Sequence, residues 1–482
     1  MIHFKHLIFL LISMVSIHGM AQNATSSSIM GKVVDSKGEA IIGATVAALH
    51  NPSGSISGNT TRKDGSFNLP SVRIGGPYTL TISFIGYKTQ KLENIYLSLG
   101  QVFEANFVLI ENTVDLATAE VVVEKNSILN DKRTGASTTI SKEQLQTLPT
   151  INRSLYDFLR LTPQGRSSSV ASTAGAGISF AGQDSRYNNL TIDGSVFNNS
   201  FGLASAPGGQ TNSTPISLDA IQEIQVNLAP FDIRYNGFTG AGINTVTRSG
   251  TNTIEASIFR NSRNESMVGR YAGDNTVTPN KFSVNQTGFR LGAPIIKNKL
   301  FIFVNGEFER RSDPATQYLA ARSGVSGANV TRVTASSLDS LHSFLMNKYG
   351  YDAGGYENYA LLTESNKFLA KIDWNVNDKN RVSVRYNSLY SKRDVPMSNS
   401  GVISGNRSNN TDALGFSNAN YIINNNLTSV IAELNTNIGN SMTNSVQIGY
   451  TAMRDFRSSN NATPFPFVDI LSGGKTYTSF GY

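Results

Sequence analysis

From Lys367 to Val376, the side chains of Phe368, Ala370, Ile372, Trp374 and Val376 fall on one face of an extended chain. Lys367, Lys371, Asp373 and Asn375 fall on the other, with Leu369 the one apolar exception. After the turn Asn377 to Asn380 the pattern returns, Val382, Val384, Tyr386 and Tyr390 opposing Arg381, Ser383, Arg385 and Asn387. Alternation of period two over about ten residues suits a strand that crosses a bilayer, apolar face to lipid and polar face to a lumen. A soluble sandwich alternates too, so one hairpin does not separate the two. Gln286 to Pro294 with Lys299 to Arg310, and Leu427 to Asn437 with Asn444 to Ala452, repeat the motif. Short turns on one side and long polar connections on the other (Arg311 to Tyr359, Asp394 to Asn420) favour a barrel. No window beyond the N-terminus offers about 18 consecutive apolar residues, so membrane residence would come from strands.

Composition narrows the function classes. Hydrophobic residues are 39% and charged residues 16% of 482, and the net charge of +7 is scattered, which argues against a nucleic-acid partner. With no cysteine, disulfides, zinc thiolates and cysteine nucleophiles are excluded. His3, His6 and His18 lie in an N-terminal segment, leaving His50 and His342, far apart and without a motif, as expected exposed polar residues. No catalytic, cofactor-binding or metal-ligating residue is assigned.

Residues 1–21 carry Lys5, an apolar core from Leu7 to Ile17 and small residues Gly19 and Ala21, the pattern of a cleaved signal peptide. Residues 29–112 then alternate in short segments: Lys32 to Val34, Ala44 to Ala48, Ser66 to Leu69, Tyr78 to Phe84 and Phe103 to Ile110 are expected strands of a small sandwich. Asp64 and Gly65 supply a tight turn, and Phe67, Ile82, Phe84 and Tyr87 its filling. The D-G-x-F hairpin and the Ser83, Gly86, Tyr87 strand resemble the carboxypeptidase regulatory-like, transthyretin-like domain, which implies an accessory module. Residues 113–126 form a linker whose Glu120, Val121, Val122 and Val123 suit addition to another sheet edge, or a last strand of the sandwich.

Residues 127–250 mix helix and strand. Ser141 with Gln144 makes a capping box for a helix stopped by Pro149, and a second helix runs from Leu155 to Leu161. Asn189 to Ile192 reads as a strand ending at Asp193 and Gly194. Residues 197–215 read as a long polar loop. Leu218, Ile221 and Ile224 open an amphipathic turn that passes into alternation at Ile224, Val226 and Leu228, before a Gly-rich loop at Gly237, Gly240 and Gly242 and the strand Ile243, Thr245, Thr247. The spacing of the Gly-Ala-Gly triplets is not that of a dinucleotide fingerprint.

The order from Ile216 to Asn252, with "APFDIR" and "GAGINTVTRSGTN", resembles the plug domain of TonB-dependent outer-membrane receptors, closest to the Oar-like receptors of Bacteroidetes and related Gram-negatives. Arg186, Asn189, Asp193, Gly194, Gly240 and Gly242 match its signature. The resemblance implies a mainly β protein: signal peptide, sandwich, α+β plug and, over residues 251–482, the first part of a large transmembrane antiparallel β-barrel of about 22 strands. It further implies that Glu120 to Val123 are a TonB box, that Arg186 and Asp193 help hold the plug in a charged lumen (Asp193 and Gly194 also building a type I′ turn), and that loop residues Asn198, Asn199, Phe201 and Gln210 touch substrate. The partners implied are TonB, outer-membrane lipid and an unidentified extracellular substrate, with no nucleic acid. The expected function is energised import across the outer membrane. The alternatives are a surface protein for adhesion or export, and a secreted carbohydrate-active enzyme, for which no pair of catalytic carboxylates stands out. About seven strands precede Tyr482. A plug of about 120 residues, near 14 Å in radius of gyration, needs a wider cylinder than eight strands enclose. The chain is therefore expected to continue, and Phe480 and Tyr482 to resemble a terminal strand by coincidence.

Overall fold

The computed structural model describes residues 25–112, 136–150, 152–167, 177–199, 201–231, 235–276, 279–439, 442–461 and 464–482. The proposed signal peptide and the Glu120 to Val123 segment lie outside them.

Eight strands build the first unit: β1 (Ser27–Asp35), β2 (Thr45–His50), β3 (Ser55–Thr60), β4 (Ser66–Val72), β5 (Gly75–Ser83), β6 (Gln90–Leu97), β7 (Val102–Glu104) and β8 (Phe107–Leu109). They form two sheets, β4-β1-β7 with β8 also on β1, and β3-β2-β5-β6. Alternate residues of both meet in a core that includes Ile29, Val46, Phe67, Leu80, Ile82 and Phe107, with Phe84 and Tyr87 packed at its margin. Asp64 Oδ1 accepts from the Ser66 amide at 3.0 Å, and Gly65 adopts φ +76° there, so the tight turn forms where expected. β3 and β6 escape the sequence reading because their polar residues (Asn59 and Thr60, Gln90 to Asn94) obscure the alternation.

The second unit contains β9 (Ala136–Ile140), α1 (Lys142–Thr147), α2 (Leu155–Leu159), β10 (Gly165–Ser167), β11 (Ile178–Phe180), β12 (Asn189–Ile192), β13 (Ser195–Val196), β14 (Ile221–Leu228) and β15 (Gly242–Thr247). Its main sheet has the order β13-β12-β15-β14-β9. The Ser141 capping box is present, whereas α2 closes two residues earlier than expected, at Leu159. Extended structure begins at Ile221 rather than Ile224, after a single 3-10 turn over Leu218–Ala220. β14 and β15 are buried on both faces: Ile224, Val226 and Ile243 join the central core, while Glu223 and Gln225 meet the sandwich.

The rest of the chain comprises β16 (Glu255–Asn264), the short pair β17 (Tyr271–Ala272) and β18 (Asn275–Thr276), β19 (Ser283–Ile296), β20 (Leu300–Pro314), β21 (Leu319–Ala321), β22 (Val330–Thr334), α3 (Ala335–Tyr349), β23 (Ala360–Asn377), β24 (Asn380–Val395), β25 (Tyr421–Ile438), β26 (Met442–Ser459), β27 (Val468–Ser472) and β28 (Lys475–Phe480). Seven of these strands form one antiparallel sheet, β16-β19-β20-β23-β24-β25-β26, that walls the plug. The expected alternation holds in β23: Phe368, Ile372 and Trp374 are exposed on the outer face while Lys367, Lys371, Asp373 and Asn375 are buried inward. Leu369 also points inward, into the plug's core beside Phe303, Leu389 and Leu427, so the exception to the pattern marks the contact between wall and stopper. The strands are longer than the expected ten or so residues, reaching 18 in β23, β25 and β26. A bilayer needs only about 9–11 tilted residues. Their ends therefore stand clear of the apolar band.

The long connections are not plain polar loops. β21, β22, α3, the β27–β28 hairpin and residues near 414–416 share a separate core of Ala320, Val333, Leu338, Leu345, Leu414, Phe416 and Phe480. Phe480 thus belongs to a cap on the long-connection side, where β28 pairs with β27 and not with the wall. Sequence reading missed α3 because Ser336, Ser337, Asp339 and Ser340 dilute its apolar face; only Ala335, Leu338 and Leu345 are buried. No helix among the described residues is long and apolar enough to cross a membrane.

Candidate functional site

The site is the inner face of the wall and what the plug presents to it. Lys371 on β23 lies directly opposite Arg385 on β24, both pointing inward. Two like charges side by side in a sheet repel. The plug supplies the missing anion: Asp193 Oδ2 stands 2.6 Å from Arg385 Nη1 and 3.8 Å from Lys371 Nζ. The hairpin that carries Asp193 is built for this. Asp193 (φ +46°) and Gly194 (φ +79°) both lie in the left-handed region, so the carboxylate sits at the tip of a primed turn between β12 and β13.

Around that carboxylate, the Thr247 amide donates to Asp193 Oδ1 at 2.7 Å and the Thr247 hydroxyl to Oδ2 at 2.6 Å. Gln447 of β26 donates to the Asp193 carbonyl at 2.6 Å. Burial pushes the carboxyl pKa up, but Lys371, Arg385 and Thr247 outweigh it and hold it at about 2. The Arg385 side chain is 2% exposed, yet none of its three nitrogens makes an aligned hydrogen bond. Its tie to Asp193 is therefore coulombic rather than directional, an attraction that survives small displacements of the plug.

A second ionic contact lies one step along the strands. Glu307 on β20 faces Lys367 on β23 at 2.6 Å, and its other oxygen accepts from the plug's Ser217 hydroxyl at 2.6 Å. Within the plug, Arg153 pairs with Asp219 at 2.6 Å and stacks 3.9 Å over Phe259 of the wall. Lys367, Lys371 and Arg385 stood on the polar faces that alternation identified, but sequence could not say which inward charges meet the plug. Glu307, Ser217 and Thr247 carried no separate signal.

Arg186 does not join this network: it pairs at 2.9 Å with the neighbouring Asp184, and both are about half exposed. The ionic contact to the lumen is made by Asp193, while Asp184 caps the turn over Ser185–Tyr187 by accepting from the Arg186 amide at 2.9 Å. Asn189 donates to the Asn236 carbonyl at 2.8 Å and ties β12 to the Gly-rich loop. Gly240 and Gly242 leave no room for a side chain, since a Cβ would lie 2.3 Å from Asn188 Oδ1 and 2.8 Å from the Phe238 ring respectively.

The loop 197–215 is partly buried: Ala204, Ala206 and Thr211 are covered, whereas Phe201 and Leu203 are exposed. Asn198 accepts from the Leu190 amide at 2.8 Å, Asn199 donates to Asp455 of β26 at 2.9 Å, and Gln210 accepts from Asn425 of β25 at 3.3 Å. Thr211 bonds Ser391 of β24 at 2.7 Å. Three of the four expected substrate contacts are thus held by protein partners, and Phe201 alone of them is exposed, at 80%. A polar composition suits both a solvated loop and one satisfied by the polar lining of a lumen, and composition alone does not separate the two.

The sandwich docks on the side of the short wall turns. Leu99 is gripped at both backbone atoms, its amide donating to Glu223 at 2.6 Å and its carbonyl accepting from Gln225 at 2.9 Å. Arg73 pairs with Asp373 of β23 at 3.2 Å. Burial pushes the Glu223 carboxyl up to about 7, partly offset by the Leu99 amide and aided by Glu143. His50 is buried at 6% exposure, contrary to expectation, with Nδ1 2.6 Å from Ser53 Oγ; desolvation and the nearby Arg73 and Arg381 keep its pKa down to about 3. No group of three or more His, Asp or Glu that could hold a metal occurs among the described residues.

Comparison with known proteins follows the same three divisions. The carboxypeptidase regulatory-like domain family matches residues 28–110, the TonB-dependent receptor plug domain family residues 130–243, and an outer membrane beta barrel domain family residues 246–480. The TonB-dependent transporter Oar of Myxococcus xanthus is 24% identical over 304 residues, 60% of this chain and 27% of that protein. The outer membrane transporter YddB from Escherichia coli is similar over 72% of this chain and 43% of its own, at 13% identity and a TM-score of 0.48. The siderophore receptor PirA from Acinetobacter baumannii is similar over 70% of this chain and 46% of its own, at 14% identity and a TM-score of 0.39. The chain spans less than half the length of each of these relatives.

Proposed function

Because the chain belongs to the TonB-dependent outer-membrane receptors, a family of receptors and transporters rather than enzymes, we propose that it takes part in energised import of an extracellular substrate. The observation that carries this reading is the shared charge site: the wall places two cations side by side, and the plug brings the carboxylate that neutralises them. A stopper held by its lumen through buried ion pairs stays closed at rest and needs work to shift. Glu120, Val121, Val122 and Val123 act as the TonB box, joining TonB by strand addition and passing its pull to the plug through β9. Substrate enters from the cap side, and Phe201, an exposed residue of the plug, is among those that it meets.

Deletion of residues 120–123 in cells tests the mechanism. Uptake of the nutrient on which a knockout fails to grow should cease while the receptor remains in the outer membrane. Undiminished uptake would remove TonB from the account, and a knockout that loses surface adhesion or export instead would transfer the reading to that function.

A further inference from the structure

Where the sandwich, the plug and the inner face of the wall meet there is a cavity of about 200 Å³. Its charges do not balance. Arg73 is matched by Asp373, Lys142 by Glu255 at 3.6 Å, and Lys371 by Asp193. Glu433, the remaining carboxylate of the lining, takes hydrogen bonds from Thr25 at 3.3 Å and Asn435 at 2.7 Å. Arg248, Arg290 and Arg381 also line the cavity, one from the plug end of the chain and two from the wall, and none has a carboxylate within ion-pairing distance among the described residues.

Their hydrogen bonding is as incomplete as their charge. Arg248 is 5% exposed; its Nε donates to the Ile221 carbonyl at 3.0 Å, but Nη1 has no acceptor. Nε and Nη1 of Arg290 are buried and likewise without acceptors. Arg381 donates to the Ser71 carbonyl of the sandwich. Buried guanidinium donors left unsatisfied are costly, and their planar forks suit an oxyanion that accepts several bonds at once. Asp373, whose Oδ2 is also unsatisfied, and Glu433 attract Arg381 through space without pairing with it, so the guanidiniums left most open to an added anion are those of Arg248 and Arg290.

We propose that this cavity binds a phosphate-type oxyanion, which bridges Arg248, Arg290 and Arg381 and so fastens the sandwich to the plug and wall. The group is free phosphate or the headgroup phosphate of a lipid, both of which offer the same tetrahedral oxygens. This site lies on the short-turn side, remote from Phe201 and the cap, and does not depend on the import reading.

The full chain, folded in outer membranes and purified in neutral detergent without phosphate, is titrated calorimetrically with sodium phosphate and, separately, with short-chain phosphatidylglycerol. Saturable binding of either supports the site and identifies the source. Affinity should fall at least about tenfold in the Arg248→Gln, Arg290→Gln double variant, and remain unchanged in Arg311→Gln at the opposite end of the wall. If the double variant does not fold, Arg290→Gln alone should weaken binding several-fold and Arg290→Lys restore part of it. Absence of saturable binding by both titrants, or equal affinity in wild type and the Arg248 and Arg290 variants, overturns the proposal.

Discussion

Asp193 of the plug and Arg385 of the wall approach to 2.6 Å at a point where Arg385 already faces Lys371 across the strand pair. The wall is therefore electrostatically incomplete without its plug. Removing the carboxylate leaves two buried cations opposed, a change that typically costs about 3–5 kcal/mol. Asp193→Asn should lower the unfolding midpoint and let large antibiotics through the outer membrane. In a double-mutant cycle with Arg385→Gln, a coupling below about 0.5 kcal/mol would show that the pair holds nothing. With its pKa at about 2 against 3.8 for the ordinary group, Asp193 contributes stability that is full above about pH 4 and lost as pH falls through 2.

Glu223 is expected to behave in the opposite sense. Its folded pKa of about 7 exceeds the ordinary 4.5, so its contribution is full below pH 4.5 and lost as pH rises through 7. Docking of the sandwich should weaken accordingly by up to about 2–3 kcal/mol. Glu223→Gln keeps an acceptor for the Leu99 amide and removes the titration. Limited proteolysis at pH 5 and pH 8 should find the wild-type sandwich more readily released at pH 8, and the variant equally resistant at both.

Leu369 is 1% exposed and packs with the plug rather than with lipid. Leu369→Ala should destabilise the assembly by about 2–5 kcal/mol, whereas Ile372→Ala, on the outer face of the same strand, should cost less when measured in detergent. Equal urea midpoints for the two variants would contradict the inward assignment of Leu369.

Gly240→Ala drives a methyl group against Asn188 Oδ1, the atom that accepts from the Ala241 amide at 3.0 Å. We expect a loss of about 1–3 kcal/mol from overpacking, read as a lower melting temperature, with Thr239→Ala close to neutral.

Much of this architecture was legible in the residues. Period-two alternation in Lys367 to Tyr390 assigned each side chain to a face, because a strand has only two, and the tight turns followed from Asp64 with Gly65 and Asp193 with Gly194. The α3 cap stayed hidden because its core is assembled from three separate stretches, none of which is amphipathic enough alone.

The sequence by itself determined the order of units, the facing of the wall strands and the presence of a buried polar lining. Only the tertiary structure decided which inward groups meet: that Asp193 and not Arg186 reaches the wall, and that Asn199 and Gln210 bond Asp455 and Asn425 of the wall. Alternation is a local property of the backbone, fixed within a few residues. Pairing between plug and wall depends on register and on how the plug is seated, which many compatible inward charges leave open until the chain has folded around itself.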